Sequence, residues 1–150
     1  MKKYLLGVDF GTTALKACLF DSEGNRIDSQ SAQYKLITKG EFIEFDANEF
    51  FNVFSSTVKK ITDKHHVDAI SIDTQGETLI AIDKDGNPLM NAIIWLDNRA
   101  EKQAKEMQDI FGLEKTYNLT GQTEIPAGYP APKIKWLKEK QVKVGKHIFL

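Results

Sequence analysis

The chain has 150 residues, 41% hydrophobic and 27% charged, with a formal net charge of −1. That is the composition of an ordinary globular protein with enough chain to bury a core, and its near-neutral balance offers no electrostatic case for nucleic acid or an anionic membrane as a partner. The single cysteine, Cys18, excludes a disulfide within the chain and sits in an apolar run, as a small core residue of a reducing compartment does, so the expected location is the cytoplasm.

Tyr4 to Phe10 is an apolar run carrying Asp9 near its end. Gly11-Thr12-Thr13 follows as a tight turn, and Leu15 to Asp21 returns as a second apolar run. The pattern predicts a β-hairpin with a carboxylate, two hydroxyls and a glycine backbone at its tip. Phosphate oxygens seek backbone N–H groups arranged as a concave nest, and glycine lets the backbone approach closely. Threonine hydroxyls add donors without charge. A strand-end carboxylate can hold Mg²⁺ through water, because that ion keeps much of its hydration shell. Lys16 supplies a cation on the return strand. Asp9, Gly11, Thr12, Thr13 and Lys16 are therefore a candidate metal–phosphate site; an ordinary hairpin with polar turn residues accounts for the same pattern. Asp9-Phe10-Gly11 also spells the magnesium triplet of protein kinases, but that triplet needs a glycine-rich loop, a lysine strand and a catalytic loop before it. Only eight residues precede Asp9. Neither a Walker loop nor G-x-G-x-x-G is present.

Ser22 to Asn25 is a turn, and Ile27 to about Thr38 is a third extended stretch with weak alternation. Asp46-Ala47-Asn48-Glu49 reads as a capping box, after which Phe50, Phe54, Val58 and Ile61 recur at helical spacing. His65-His66 falls at the expected helix end, and with His147 shows no metal-ligand spacing. Val67 to Asp73 and Thr78 to Asp83 read as short strands. Lys84 to Pro88 is a turn, and Ala92 to Trp95 is apolar again. Arg99 to Phe111 is a helix with Ala100, Ala104, Met107 and Phe111 on one face, ended by Gly112. A shorter helix near Leu113 to Leu119 stops at Gly121. Pro132 suits the first turn of a last helix that includes Ile134 and Leu137. Three early strands followed by helices interleaved with strands predict a mixed α/β sheet with helical cover. Ile148-Phe149-Leu150 ends the sequence on an apolar run, as a chain stopped inside an element does.

Four blocks together resemble the FGGY family of carbohydrate kinases, sugar and polyol kinases of the actin-like ATPase superfamily. They are Gly7 to Thr13 with Lys16; Ile70 to Thr78 (ISIDTQGET); Asp85 to Pro88 through Ala92 to Arg99 (AIIWLDNR); and Thr120-Gly121-Gln122 with Tyr129 to Leu137 (YPAPKIKWL). The first block is shared with other actin-like ATPases. The W-x-D-x-R block in register with Gln-x-Glu is far more specific.

The resemblance implies a ribonuclease-H-like fold, with residues 1–150 as the incomplete N-terminal, sugar-binding domain and the ATP domain outside this chain. It implies ATP and Mg²⁺ as cofactors. Asp9 matches the aspartate that organises Mg²⁺ and the transferred phosphoryl group, Gly11 to Thr13 the phosphate turn, and Lys16 a position often basic. Gln75 and Glu77 match the loop that lines the sugar pocket, Trp95 a pocket wall, and Tyr129 an aromatic that faces substrate in some members. Asp97 and Arg99 match the W-x-D-x-R pattern. Asp97 joins the substrate-side candidates, although helix-start capping and a structural ion pair suit the two residues better.

Departures from the family bear on the substrate. Glycerol kinases carry arginine where Gly76 stands, which argues for a substrate larger than glycerol. Many xylulokinases carry Met-His where Gly76-Glu77 stands, whereas Tyr129 to Lys133 is similar to xylulokinases. A pentulose, a hexulose or a longer polyol stays open. The expected partners are that small molecule and ATP, not nucleic acid or a membrane, with a homodimer left open. The general base is expected beyond residue 150, so the isolated chain is expected to be inactive. The alternatives are a non-enzymatic actin-like nucleotide module and a naturally truncated regulatory domain.

Overall fold

The computed structural model describes residues 2–141. Its elements in chain order are β1 (Tyr4–Phe10), β2 (Ala14–Asp21), β3 (Arg26–Gln33), β4 (Ile37–Lys39), β5 (Phe42–Phe45), α1 (Ala47–Thr62), β6 (Ala69–Thr74), β7 (Ala92–Ile93), α2 (Glu101–Phe111), α3 (Leu113–Thr120) and α4 (Pro130–Glu139). They fall into two compact units, one of the chain up to Leu36 with Asn48–Gly76, the other of Ile37–Ala47 with the chain from Glu77 onward. His147 and the terminal Ile148-Phe149-Leu150 run lie outside the described residues.

The first unit is built on a four-stranded sheet in the order β3-β2-β1-β6. β1 pairs antiparallel with β2 and parallel with β6, and β2 pairs antiparallel with β3. Strand side chains alternate between faces. Leu6, Val8 and Phe10 therefore join Leu15, Ala17 and Leu19 on one buried face, packed with Phe50, Phe54, Val58 and Ile61 of α1. The Phe10 ring lies 4.8 Å from Phe50 and 5.3 Å from Phe54, and Tyr34 meets Phe50 edge-on at 4.8 Å. Each fully buried Leu, Ile or Val of the seam stabilises by about 1.5–3 kcal/mol, and the half-buried rings add less, so this seam fixes the hairpin against the helix. α1 starts directly after Asp46, carries Glu49 in its first turn, and has Lys59 and Lys60 in its last turn, charges that complement the helix dipole. All six residues of β6 are exposed.

The expected third strand divides. β3 ends at Gln33, where the Tyr34 N–H donates to the Thr13 carbonyl at 3.3 Å. The chain then leaves this sheet, and Ile37–Lys39 pairs with β5 in a second one.

The second unit holds that sheet, in the order β4-β5-β7, with α2, α3 and α4. Its core gathers Leu79, Ile93 and Leu137, with Met90, Ile134 and Trp136 packed against them. Among the described residues the expected strand from Thr78 to Asp83 forms isolated bridges, not a ladder. The segment bridges, among the described residues, at Leu79 to Ile93 and Ile82 to Pro88, then turns on Asp83, whose Oδ1 accepts the N–H groups of Asp85 and Asn87 at 2.9 Å. The apolar alternation that suggested a strand is genuine, since Leu79 and Ala81 are buried. Among the described residues its partner β7 has only two residues, too few for a ladder along the whole segment. The last helix starts at Pro130, two residues before Pro132, which suits a residue with no N–H to leave unpaired.

Candidate functional site

The hairpin tip is built as its residues demand. In register, Asp9 stands opposite Lys16 on β2 and beside Asp73 on β6. Asp9 and Lys16 share the sheet face away from α1, and both are exposed. Among the described residues neither makes a side-chain hydrogen bond or ion pair. They line an open groove of about 380 Å³ with Gly7, Cys18, Phe20, Ser71 and Asp73. The Gly11 N–H donates to the Ala14 carbonyl at 3.1 Å, which closes the turn. A Cβ on Gly11 would sit 3.1 Å from that same oxygen, tighter than most side-chain contacts, so a larger residue would need the turn to give by a few tenths of an ångström. Thr12 is half-buried and Thr13 exposed. Burial, and then the nearby Asp9 charge, push the Tyr34 phenol up to about 12, so it stays a neutral group beneath the tip.

Gln75 follows β6 directly. Its N–H donates to the Phe10 carbonyl at 2.9 Å, which ties the start of the Gln-x-Glu loop to the strand that carries Asp9. The buried side-chain amide atoms of Gln75 and the buried hydroxyl of Thr78 have no hydrogen-bond partner among the described residues. Buried polar atoms without partners are uncommon and call for a ligand or an ordered water.

In the second unit, Glu77 is exposed and holds a left-handed backbone, with φ 61°. Trp95 is 42% exposed, so its indole lies at the surface and not in the core. Tyr129 is half-buried, and its hydroxyl donates to Gln122 Oε1 at 2.7 Å. Its ring lines an apolar cavity of about 310 Å³ with Met107, Phe111 and Ile125.

The structure argues against Asp97 as a sugar contact. Its side chain is wholly buried. Oδ2 accepts from the Ile43 N–H at 2.6 Å and from an Arg99 Nη at 2.7 Å, and Oδ1 accepts from Arg99 Nε at 2.8 Å and the Arg99 N–H at 3.0 Å. Arg99 also reaches Glu44 Oε1 at 2.5 Å, and its guanidinium lies 4.3 Å from the Phe42 ring centre and 5.2 Å from that of Trp136. Burial alone would lower the guanidinium's pKa, but the hydrogen bonds and charges of Asp97 and Glu44 outweigh it and hold the group above its ordinary value. The W-x-D-x-R aspartate and arginine are thus a buried ion-paired node that joins β5, the segment before α2, and α4.

Three residues of this region carry no sequence signal of their own. Glu44 is an acid in a four-residue strand. Lys133 resembles the other lysines of a basic stretch, yet is completely buried. Gly128 looks like a loop glycine, yet a Cβ there would lie 2.3 Å from the Trp95 carbonyl oxygen.

Known proteins match this arrangement. The sequence profile of the FGGY family of carbohydrate kinases, N-terminal domain, matches residues 4–149. A xylulose kinase of Staphylococcus epidermidis is 30% identical over 99% of this chain, which covers 30% of that protein. A glycerol kinase of Parabacteroides distasonis is 35% identical over 90% of the chain, covering 28% of its own length. The crystal structure of gluconate kinase from Lactobacillus acidophilus superimposes with a TM-score of 0.86 at 33% identity, over 96% of this chain and 30% of that one. The chain therefore spans about 30% of the length of the relatives it matches, and its fold is that of the actin-like sugar kinases. With the family profile running nearly end to end, this chain belongs to the FGGY family of carbohydrate kinases.

Proposed function

We propose that this chain forms the N-terminal, sugar-side part of an ATP-dependent cytoplasmic kinase that phosphorylates a hydroxyl of a pentulose, a hexulose or a related polyol. The observation that carries the reading is the pair Asp9 and Lys16, exposed and unengaged on one face of the hairpin beside the tight Gly11 turn. An exposed carboxylate beside a tight glycine turn and a cation fits a hydrated Mg²⁺ with phosphate oxygens. Asp9 would hold the metal through water. Gly11 would let the turn approach the phosphate closely, the backbone and hydroxyls of Thr12 and Thr13 would bind its oxygens, and Lys16 would add positive charge. Bound Mg²⁺ supplies charge neutralisation, on which phosphoryl transfer depends together with positioning.

On the sugar side, polyol hydroxyls are read by a few fixed acids and amides against an apolar wall. Glu77 is the proposed hydroxyl acceptor, Gln75 its support, Trp95 the wall and Tyr129 a flanking aromatic. The unpartnered amide of Gln75 and hydroxyl of Thr78 support a polar ligand at this loop. Gly76 in place of arginine favours a substrate larger than glycerol. The base that takes the sugar hydroxyl proton is assigned to sequence beyond residue 150, so the chain alone should not turn over ATP.

A ¹H–¹⁵N titration of the 150-residue chain with ketoses, aldoses and polyols tests the sugar side. The expected result is that one sugar moves the Trp95 indole and the amides of 75–78. A folded chain in which no sugar moves them refutes a preformed half-site. Sugar-dependent ADP release by the isolated chain would refute its proposed inactivity.

A further inference from the structure

Lys133 lies on α4 with its side chain completely buried. A buried ammonium is costly unless it is paired or hydrogen-bonded. Here Nζ donates to the Ile94 carbonyl at 2.8 Å and to the Glu77 carbonyl at 3.1 Å. Both acceptors are backbone oxygens, and no carboxylate lies within hydrogen-bonding distance of the amine among the described residues. The charged groups that face it are Asp97, Glu77 and Arg99; burial outweighs the two acids and brings the amine down to about 8. An ordinary packing lysine would exchange readily for leucine or methionine. This one instead ties together two segments that are adjacent neither to each other in sequence nor to α4.

Two further features meet at the same place. Glu77 is one of two non-glycine residues with positive φ among the described residues, a conformation that persists only where the surroundings enforce it. Its carbonyl is the one Lys133 holds. On the other segment, Gly128 abuts the Trp95 carbonyl so closely that no side chain fits between them. Consecutive carbonyls, of Ile94 and Trp95, are thus engaged by α4 and by the turn that leads into it.

We infer that Lys133 is a positioning residue for the proposed sugar site: its ammonium fixes the Glu77 and Ile94–Trp95 backbones relative to each other, and so sets the separation between the hydroxyl acceptor and the aromatic wall. The sugar consequence rests on the proposed function; the backbone clamp does not.

The test uses the 150-residue chain labelled with ¹³C and ¹⁵N. The readouts are the carbonyl carbons of Glu77 and Ile94 and the indole of Trp95, followed from pH 6.5 to 9.5 without sugar. The three signals are expected to move together with a midpoint near 8. In Lys133→Arg, which stays charged throughout, this shared titration should vanish. In Lys133→Met the signals should already be displaced at pH 7, while the amides of the Asp9 hairpin stay in place. D-Xylulose, D-gluconate and glycerol serve as probes, and whichever binds the native chain should bind Lys133→Met at least tenfold more weakly. Signals that neither titrate near 8 nor move in the variants overturn the inference, as does equal binding of a probe by the native chain and Lys133→Met. If Lys133→Met does not fold, the native titration and the arginine variant decide alone. A native chain that binds no probe but shows the shared titration leaves the clamp supported and refutes the sugar reading instead.

Discussion

Arg99→Met removes the centre of the buried node while keeping an unbranched apolar stem. The guanidinium donates twice to Asp97, at 2.7 and 2.8 Å, and once to Glu44 at 2.5 Å. Each charge-assisted bond contributes about 1.5–3 kcal/mol net, and the bonds act as a unit, so they do not simply add. Methionine also loses the cation–π contact with Phe42, though it keeps part of the packing. What dominates is Asp97, left wholly buried with only the N–H groups of Ile43 and Arg99 as donors. Breaking a buried pair from one side costs about 3–5 kcal/mol, a large share of the roughly 5–15 kcal/mol that holds a domain together. Urea unfolding followed by tryptophan fluorescence measures this directly, since Trp95 and Trp136 both belong to the second unit. Asp97→Asn in the Arg99→Met background removes the stranded charge and should recover at least about 1 kcal/mol, a coupling of the size expected for residues in contact. A loss under about 1 kcal/mol in Arg99→Met, or strictly additive behaviour in the double variant, would refute the node as the support of this segment. A folded Asp97→Asn chain that loses sugar binding with unchanged stability would return Asp97 to the sugar contacts.

Three further expectations follow from the same geometry. Leu6→Ala empties a fully buried position under α1 and should cost about 3–5 kcal/mol, whereas Leu5→Ala, on the opposite and largely exposed face, should cost well under 1; denaturant midpoints that rank them otherwise contradict the assigned face. The side-chain and backbone donors of Asn25 lower the Asp21 pKa below its usual 3.8, so the stability this carboxylate lends is present above that value and lost as pH falls through the lowered one. Asn25→Ala should bring the Asp21 carboxyl resonance back toward an ordinary titration, and an unchanged midpoint would show that Asn25 is not the cause. β6 lies at the sheet edge with Ile70 and Ile72 half exposed, so the isolated chain should self-associate as concentration rises, and Ile72→Lys should suppress this in sedimentation velocity; a monomer at every concentration would count against an adhesive edge.

The legible parts of this chain are those whose signal is local. β1 and β2 announce themselves because an alternating run, a Gly-Thr-Thr turn and a second run are contiguous, and α1 because its cap and its apolar spacing lie within one stretch. The resemblance that named the family rested on short blocks of the same kind. The second sheet escaped because its strands have three, four and two residues and join positions such as Glu44 and Ile93, which only the finished fold brings together. Thr78 to Asp83 has a strand's alternation, but among the described residues it meets only isolated bridges. Asp97 and Arg99 were readable as an ion pair, but their third member, Glu44, was not, since nothing in Phe42-Ile43-Glu44-Phe45 distinguishes a buried acid from a solvated one. Lys133 was hidden for the same reason among Lys133, Lys135 and Lys138.

Polar groups in the two units differ in kind, and that difference decides which residues can act. Around the hairpin tip, Asp9 and Lys16 face solvent with no protein partner among the described residues, which is the condition of a group reserved for a ligand. Around Trp95, the charged groups of Asp97, Arg99 and Lys133 are buried and committed to neighbouring backbone and side chains, which is the condition of a scaffold. In the proposed sugar site the exposed Glu77 and the Thr78 hydroxyl, which has no partner among the described residues, are polar groups left to meet a substrate, with the exposed Trp95 ring as the proposed wall. A substitution in the scaffold should therefore change sugar affinity only together with stability or with the backbone signals of Glu77 and Ile94. A substitution at Glu77 or Trp95 should change affinity alone. That separation is a stronger test of the site than loss of binding by itself, because a misfolded chain and an empty pocket both fail to bind, and only one of them fails to fold.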